Sequence, residues 1–267
     1  LSCLQHFKTL MDQYPLEQYW ALGTNTFRVT DNAQDFILAA RDIGIEISPI
    51  SGVQEAVLIY AGVITSLPVL ENHSLVIDIG GGSTEIIIGH KHSRLLTESM
   101  AVGSIAWRDK FFSPKTADSL LLNKQLDAAT AASKSVFDSI NIGVRKAGWD
   151  EAYASSGTVK MLATICKAHG LGKGEIELAS LLTLRPQIIT AIAGGGDLPG
   201  LKERRRELLL PGLAVLVGLM QSYAVDRINF SATALREGML DFMVKNKKTL
   251  AVMENSQLPE VSLTDNL

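Results

Sequence analysis

With two cysteines in 267 residues, Cys3 and Cys166, the chain can build neither a disulfide framework nor a cysteine-based metal cluster. A reducing compartment, the cytoplasm, is therefore expected. Positive charge is also scarce: 25 Lys and Arg against 28 Asp and Glu leave a net charge of −3. No global basic field draws nucleic acid or an anionic membrane, so a polyanion would need a local basic pocket. Long apolar runs are missing too. The most apolar stretch, residues 208–220, is too short for a membrane span and contains Pro211, Gly212 and Gly218. It is expected to be a buried helix behind a turn. No internal repeat or low-complexity segment is found, and no signal peptide is expected in these residues. The chain opens on Leu1, directly into a helical pattern, and is expected to lack its natural start. What is present is an apolar fraction of 46%, ample for the core of one large domain or two modest ones.

Residues 1–14 carry Leu1, Leu4, Phe7, Leu10 and Met11 on one helical face, and Pro15 ends the pattern. Residues 19–23 suit a short strand, and Asn25 or Thr26 could cap the next element. Residues 31–43 are amphipathic, Gly44 ends them, and 45–50 read as another strand. Such alternation belongs to α/β layers. Ser51-Gly52 is a turn, and 55–63 a helix with Glu55 in its first turn, where the dipole favours an acid. The pattern changes at about Pro68, taken as a domain junction. Beyond it, 74–79, 84–89 and 95–100 are consecutive strands, an antiparallel meander. Residues 103–112 read as a loop or short helix, 118–147 as one long helix, 152–154 as a strand and 159–169 as a helix. A helix over 177–193 is expected to break near Pro186. Charged 202–207 and apolar 211–225 are further helices. A strand at 227–230 and a helix at 233–244 precede a polar tail, loosely ordered over 251–267.

The most informative stretch is 75–89, Leu-Val-Ile-Asp-Ile-Gly-Gly-Gly-Ser-Thr-Glu-Ile-Ile-Ile-Gly. Two β-branched runs flank Gly80, Gly81 and Gly82, which reads as strand, tight turn, strand. Three glycines exceed what a hairpin needs. They suit a backbone that bends sharply and lets its N–H groups approach an anion. Asp78 stands just before the turn and Glu85 just after it. A divalent cation held there would neutralise a bound phosphate. Ser155-Ser156-Gly157-Thr158, between a strand and a helix, is a second phosphate-sized cradle.

These motifs resemble, in order and spacing, the exopolyphosphatase / guanosine pentaphosphate phosphatase family of the actin-like ATPase superfamily. The resemblance rests on Gly23-Thr-Asn-Thr-Phe-Arg28 with Asn32, Ser51-Gly-Val-Gln-Glu55-Ala, the glycine turn, Ala154-Ser-Ser-Gly-Thr158, Pro211-Gly-Leu-Ala and Ala234-Leu-Arg-Glu-Gly238. It covers residues 1–238. Members begin with a first phosphate loop, Asp-x-Gly-Ser-Asn-Ser-like, and longer ones carry a C-terminal His-Asp domain; neither pattern is found in these residues.

The resemblance implies an α/β, ribonuclease-H-like fold of two lobes around a cleft, the first lobe N-terminally incomplete. Residues 1–70 would form that first lobe, with a helix at 239–250 packing back on it, and 71–238 the second. It implies a Mg²⁺-dependent phosphohydrolase acting on the terminal phosphoanhydride of inorganic polyphosphate, of guanosine pentaphosphate, or of both. Glu55 would be the catalytic base. Asp78 and Glu85 would hold the metal. Gly80, Gly81, Gly82 and Ser83, with Arg28, Gly157 and Thr158, would contact phosphate. An actin- or chaperone-like ATPase and a non-catalytic phosphate sensor are the other readings. Lys202, Arg204, Arg205 and Arg206 would attract polyphosphate, or simply form a solvated helix. His90 and His92 are expected to face solvent. Apolar helices near the C-terminus could support a homodimer.

Overall fold

A computed structural model describes residues 1–16, 19–67, 72–91 and 93–245. The junction expected near Pro68, His92 and the tail beyond Lys245 lie outside these residues. The chain runs α1 (Ser2–Met11), β1 (Ala21–Gly23), α2 (Asn25–Val29), α3 (Ala33–Asp42), β2 (Ile47–Pro49) and α4 (Gly52–Ile64). β1 and β2 pair in parallel, trimmed to the residues that find a partner. α1 fully buries none of its residues; Leu4 and Met11 are half-buried. α2 is absent from the sequence reading, which took Asn25 for a cap rather than the first residue of a short helix.

Next come β3 (His73–Ile79), β4 (Thr84–His90), β5 (Ser93–Met100), α5 (Ser104–Phe111), α6 (Ser119–Asp138), α7 (Asn141–Ala147), β6 (Glu151–Ser155) and α8 (Gly157–Ala168). The chain ends with β7 (Glu175–Glu177), α9 (Leu178–Gly194), a 3-10 turn at Glu203–Leu208, α10 (Leu209–Tyr223), β8 (Arg227–Phe230) and α11 (Leu235–Lys245). The six-stranded sheet has the order β5-β4-β3-β6-β8-β7. The expected meander is present: β3–β4 and β4–β5 are antiparallel, while β3–β6 and β6–β8 are parallel. A meander continued by parallel strands is the ribonuclease-H-like arrangement.

Two helices differ from the sequence reading. The expected single helix over 118–147 is α6 and α7. The buried stripe Leu122, Leu126, Ala129, Ser133, Phe137 ends at Phe137, and the Ser139 hydroxyl donates to the Val136 carbonyl. Conversely, α9 passes unbroken through Pro186. Leu182, whose carbonyl loses its amide partner, is on the exposed side, while Leu181, Leu184, Ile188 and Ile189 anchor both halves.

Sheet alternation sets what lies on each face. Leu75, Ile77 and Ile79 join one core with α5, α6, α8 and α10. Val76 and Ile87 join another with Ile59, Tyr60 and Val63 of α4. In α10 every residue but Gln221 is buried, so this helix is spent inside the chain. Leu240 and Val244 of α11 are exposed. α4 and α11 cross through glycines. A Cβ on Gly62 would stand 1.9 Å from the Ala234 carbonyl oxygen, and one on Gly238 1.8 Å from that of Leu58.

Candidate functional site

Strand parity delivers the first two acids. Asp78 shares its face of β3 with Val76, and Glu85 its face of β4 with Ile87; both neighbours pack on α4. Asp78 and Glu85 are also cross-strand partners. Glu55 lies one turn before Ile59 on the α4 face that meets this side of the sheet. Ser51 and Gln54 fix the start of α4 by a reciprocal capping box, Ser51 Oγ accepting from the Gln54 amide at 3.1 Å and Gln54 Oε1 from the Ser51 amide at 2.8 Å. That Ser-x-x-Gln signal was legible in the sequence and moves the helix start from the expected 55 to Gly52.

The three carboxyls feel one another. Burial raises the Glu55 pKa, and Arg28 works against the rise. Burial raises Asp78 to about 6; its hydrogen bond from Ser155 Oγ opposes this, and the Glu55 charge adds to it. Burial and then the Glu55 charge push Glu85 to about 8, with Asp78 adding to the rise, despite hydrogen bonds from Ser83 and Ser99. Buried like charges at this spacing favour proton or cation uptake.

Arg28 is tied to the acid of α4. Its Nη1 donates to Glu55 Oε2 at 2.9 Å and to the Ile50 carbonyl at 2.9 Å. The guanidinium therefore positions the acid first. The glycine loop is organised by α5. The Ser104 amide donates to the Gly80 carbonyl at 3.0 Å and the Ile105 amide to that of Gly81 at 2.8 Å. The carbonyls of Gly80 and Gly81 are thereby occupied, whereas the amides of Gly81, Gly82 and Ser83 have no backbone acceptor among the described residues. The Asn25 carboxamide closes over Gly82, with Oδ1 2.0 Å from where a Cβ would be.

At the second loop Ser156 adopts φ +101°, rare for a residue with a side chain, and caps α8 by accepting from the amides of Thr158 and Val159. Thr158 Oγ1 donates to Ser104 Oγ at 3.3 Å, and Ser104 Oγ to the Gly80 carbonyl at 3.2 Å, which joins the two loops. The basic run is not one solvated face. Arg206 is held by Glu203 and by the carbonyls of Ala191 and Gly196. Arg205 lies over Gly157, Nη2 being 2.6 Å from a would-be Cβ. A cavity of about 790 Å³ holds none of the site residues; of its arginines, Arg108 pairs with Asp109 and Glu207, and Arg206 with Glu203.

Among the described residues no group of three or more His, Cys, Asp or Glu is gathered tightly enough to enclose a metal alone. Asp78 and Glu85 nonetheless offer paired hard oxygens beside unspent amides. That donor set fits a divalent cation that keeps several waters and takes few protein carboxylates.

The model of the Ppx/GppA phosphatase family matches residues 1–247. The chain belongs to this family. A relative named guanosine-5'-triphosphate,3'-diphosphate pyrophosphatase, from Pseudoalteromonas translucida, is 34% identical over 91% of the chain and 48% of its own length. A Haemophilus influenzae protein, provisionally named an exopolyphosphatase, is 32% identical over 92% of the chain and 75% of its own length. The chain thus spans about half of the first relative. A solved exopolyphosphatase structure from Cytophaga hutchinsonii, 24% identical, superposes with a TM-score of 0.74 over 92% of this chain and 80% of that one. The Ppx/GppA fold is therefore shared. No described helix is long and apolar enough to cross a membrane. Within this Ppx/GppA chain the sequence reading missed the roles of Asn25, Ser99, Ser104 and Ser155. Asn25 and Ser155 sit inside motifs it quoted, while Ser99 and Ser104 fall in stretches it read only as a strand and a loop or short helix; only the pairing of strands and loops reveals what their side chains touch.

Proposed function

We propose that the chain is a phosphohydrolase that removes the terminal phosphate of inorganic polyphosphate, of guanosine pentaphosphate, or of both. The observation that carries this reading is the meeting of Glu55, Asp78 and Glu85 beside a glycine loop with unspent amides. The names of the two relatives supply the substrate classes. In this reading the amides of Gly81, Gly82 and Ser83 hold the oxygens of the terminal phosphoryl group. Gly157, Thr158 and Arg205 line the side toward the rest of the polyanion. Glu55 orients a water and accepts its proton as the water oxygen bonds to phosphorus. The bridging P–O bond breaks, and the shortened anion leaves with the electron pair. Arg28 keeps Glu55 ionised and aimed.

Asp78 and Glu85 would hold Mg²⁺, which supplies charge neutralisation on phosphoryl oxygens when bound. The division into lobes near residue 70 belongs to the same reading; the packing of α11 on α4 supports it.

The test is phosphate release from polyphosphate, guanosine pentaphosphate and ATP with Mg²⁺, by the wild type and by Glu55→Gln. Glu55→Gln is expected to lose about 10²–10⁴-fold in kcat while still binding the anion. Undiminished turnover in that variant would sink the mechanism. Fastest turnover of ATP would make the chain an ATPase, and binding without turnover a sensor.

A further inference from the structure

Ser99 of β5 stands where two parts of the site meet. It is the register partner of Glu85, and its Oγ donates to Glu85 Oε1 at 2.8 Å. On its other side lies Gly52, in the first turn of α4. A Cβ there would come within 2.3 Å of Ser99 Oγ and 2.4 Å of its Cβ. Gly52 precedes Glu55 by three residues, so the two are neighbours on one side of the helix. A serine hydroxyl has one proton to give, and this one is given to Glu85.

The Ser83 hydroxyl also bears on Glu85, working against the rise in its pKa. The two hydroxyls differ in footing. Ser83 belongs to the glycine loop, which must adapt to whatever anion it receives. Ser99 belongs to a strand paired along its length with β4. A glutamate has three rotatable side-chain bonds, so a carboxylate held only by a loop hydroxyl would lose its fixed direction.

We propose that Ser99 is a positioning residue: its hydroxyl fixes the Glu85 carboxylate for a divalent cation, and its contact with Gly52 sets how near Glu55 approaches. This rests on the phosphohydrolase reading, in which Asp78 and Glu85 hold the cation and Glu55 acts on water. Partners that orient a ligating side chain typically contribute 10- to 100-fold in metal affinity or activity. Glycine at position 52 is the counterpart on α4: any side chain there would lift the base-bearing helix off β5.

The experiment uses Mn²⁺ as the divalent probe, titrated by electron paramagnetic resonance. It compares the wild type, Ser99→Ala, Gly52→Ala and the control Ser93→Ala, which changes an exposed serine of the same strand. Thermal midpoints and steady-state kinetics on tripolyphosphate accompany each titration. Ser99→Ala is expected to bind Mn²⁺ about 10-fold more weakly and to lose kcat with KM unchanged. Gly52→Ala, with the Ser99 hydroxyl still present, is expected to lose kcat by more than it loses Mn²⁺ affinity. Ser93→Ala should match the wild type throughout. Wild-type Mn²⁺ affinity in Ser99→Ala would overturn the proposal and leave the phosphohydrolase reading standing. Equal weakening in Ser93→Ala would also overturn it. A wild type that neither binds Mn²⁺ nor turns over substrate would overturn both.

Discussion

At the scale of single residues, the proposed mechanism turns on the pair of Arg28 and Glu55. Arg28 holds down the pKa of a carboxyl that burial drives up. Replacing it with alanine leaves Glu55 buried without a counter-charge, so its pKa rises further. Because the base must be ionised, the limb of the kcat–pH profile on which activity appears should move to higher pH. An upward shift is expected, with smaller displacement in Arg28→Lys, which keeps the charge but not the fork. A profile unmoved in Arg28→Ala would mean that Glu55 is not the titrating base. Much at this scale was already legible. Parity along the two strands puts Asp78 and Glu85 on one face, and the cross-strand register follows from a tight turn. The tie between Arg28 and Glu55 was not, because it joins a short helix to a capped one across an unrelated strand, and no local spacing encodes it.

At the scale of elements, α5 is the support of the glycine loop. Its entry residue Gly103 lies against the loop backbone: a Cβ there would stand 2.4 Å from the Gly81 carbonyl carbon and oxygen. Gly103→Ala should therefore displace the loop by main-chain collision, raising KM for the phosphate substrate at least several-fold, with a stability cost of about 1–3 kcal/mol. Urea unfolding and initial rates check the two parts; an unchanged KM would remove α5 from the site. The meander, the buried α10 and the strand-to-helix turn before α8 were read from periodicity. The break between α6 and α7 was not, since apolar spacing runs on through Val136 and Ile140 although the buried stripe stops at Phe137. Pro186 misled in the opposite sense: tertiary anchoring on both sides outweighs one missing hydrogen bond.

At the scale of the whole molecule, the acids link stability to pH. Glu85 moves from an ordinary 4.5 to about 8 and Asp78 from 3.8 to about 6, so the folded chain binds protons more tightly than the unfolded one. Their contribution is complete below about pH 4 and is lost as pH rises toward 8. With a chelator present, the thermal midpoint should fall by about 5–10 °C between pH 5 and pH 8. If the proposed site holds Mg²⁺, adding it should recover more of that loss at pH 8 than at pH 5, since the cation would bind the ionised pair. A midpoint that climbs across that window would contradict the raised values. The crossing of α4 and α11 has a consequence of another kind. The obstruction at Gly62 and at Gly238 is main chain, which no repacking of side chains can relieve. In a library of every single substitution scored for folded yield, these two positions should be blank columns, as unforgiving as any acid though neither meets a ligand. A chimera that takes one of the two helices from a relative should fold only if the donor helix brings its own glycine to the crossing.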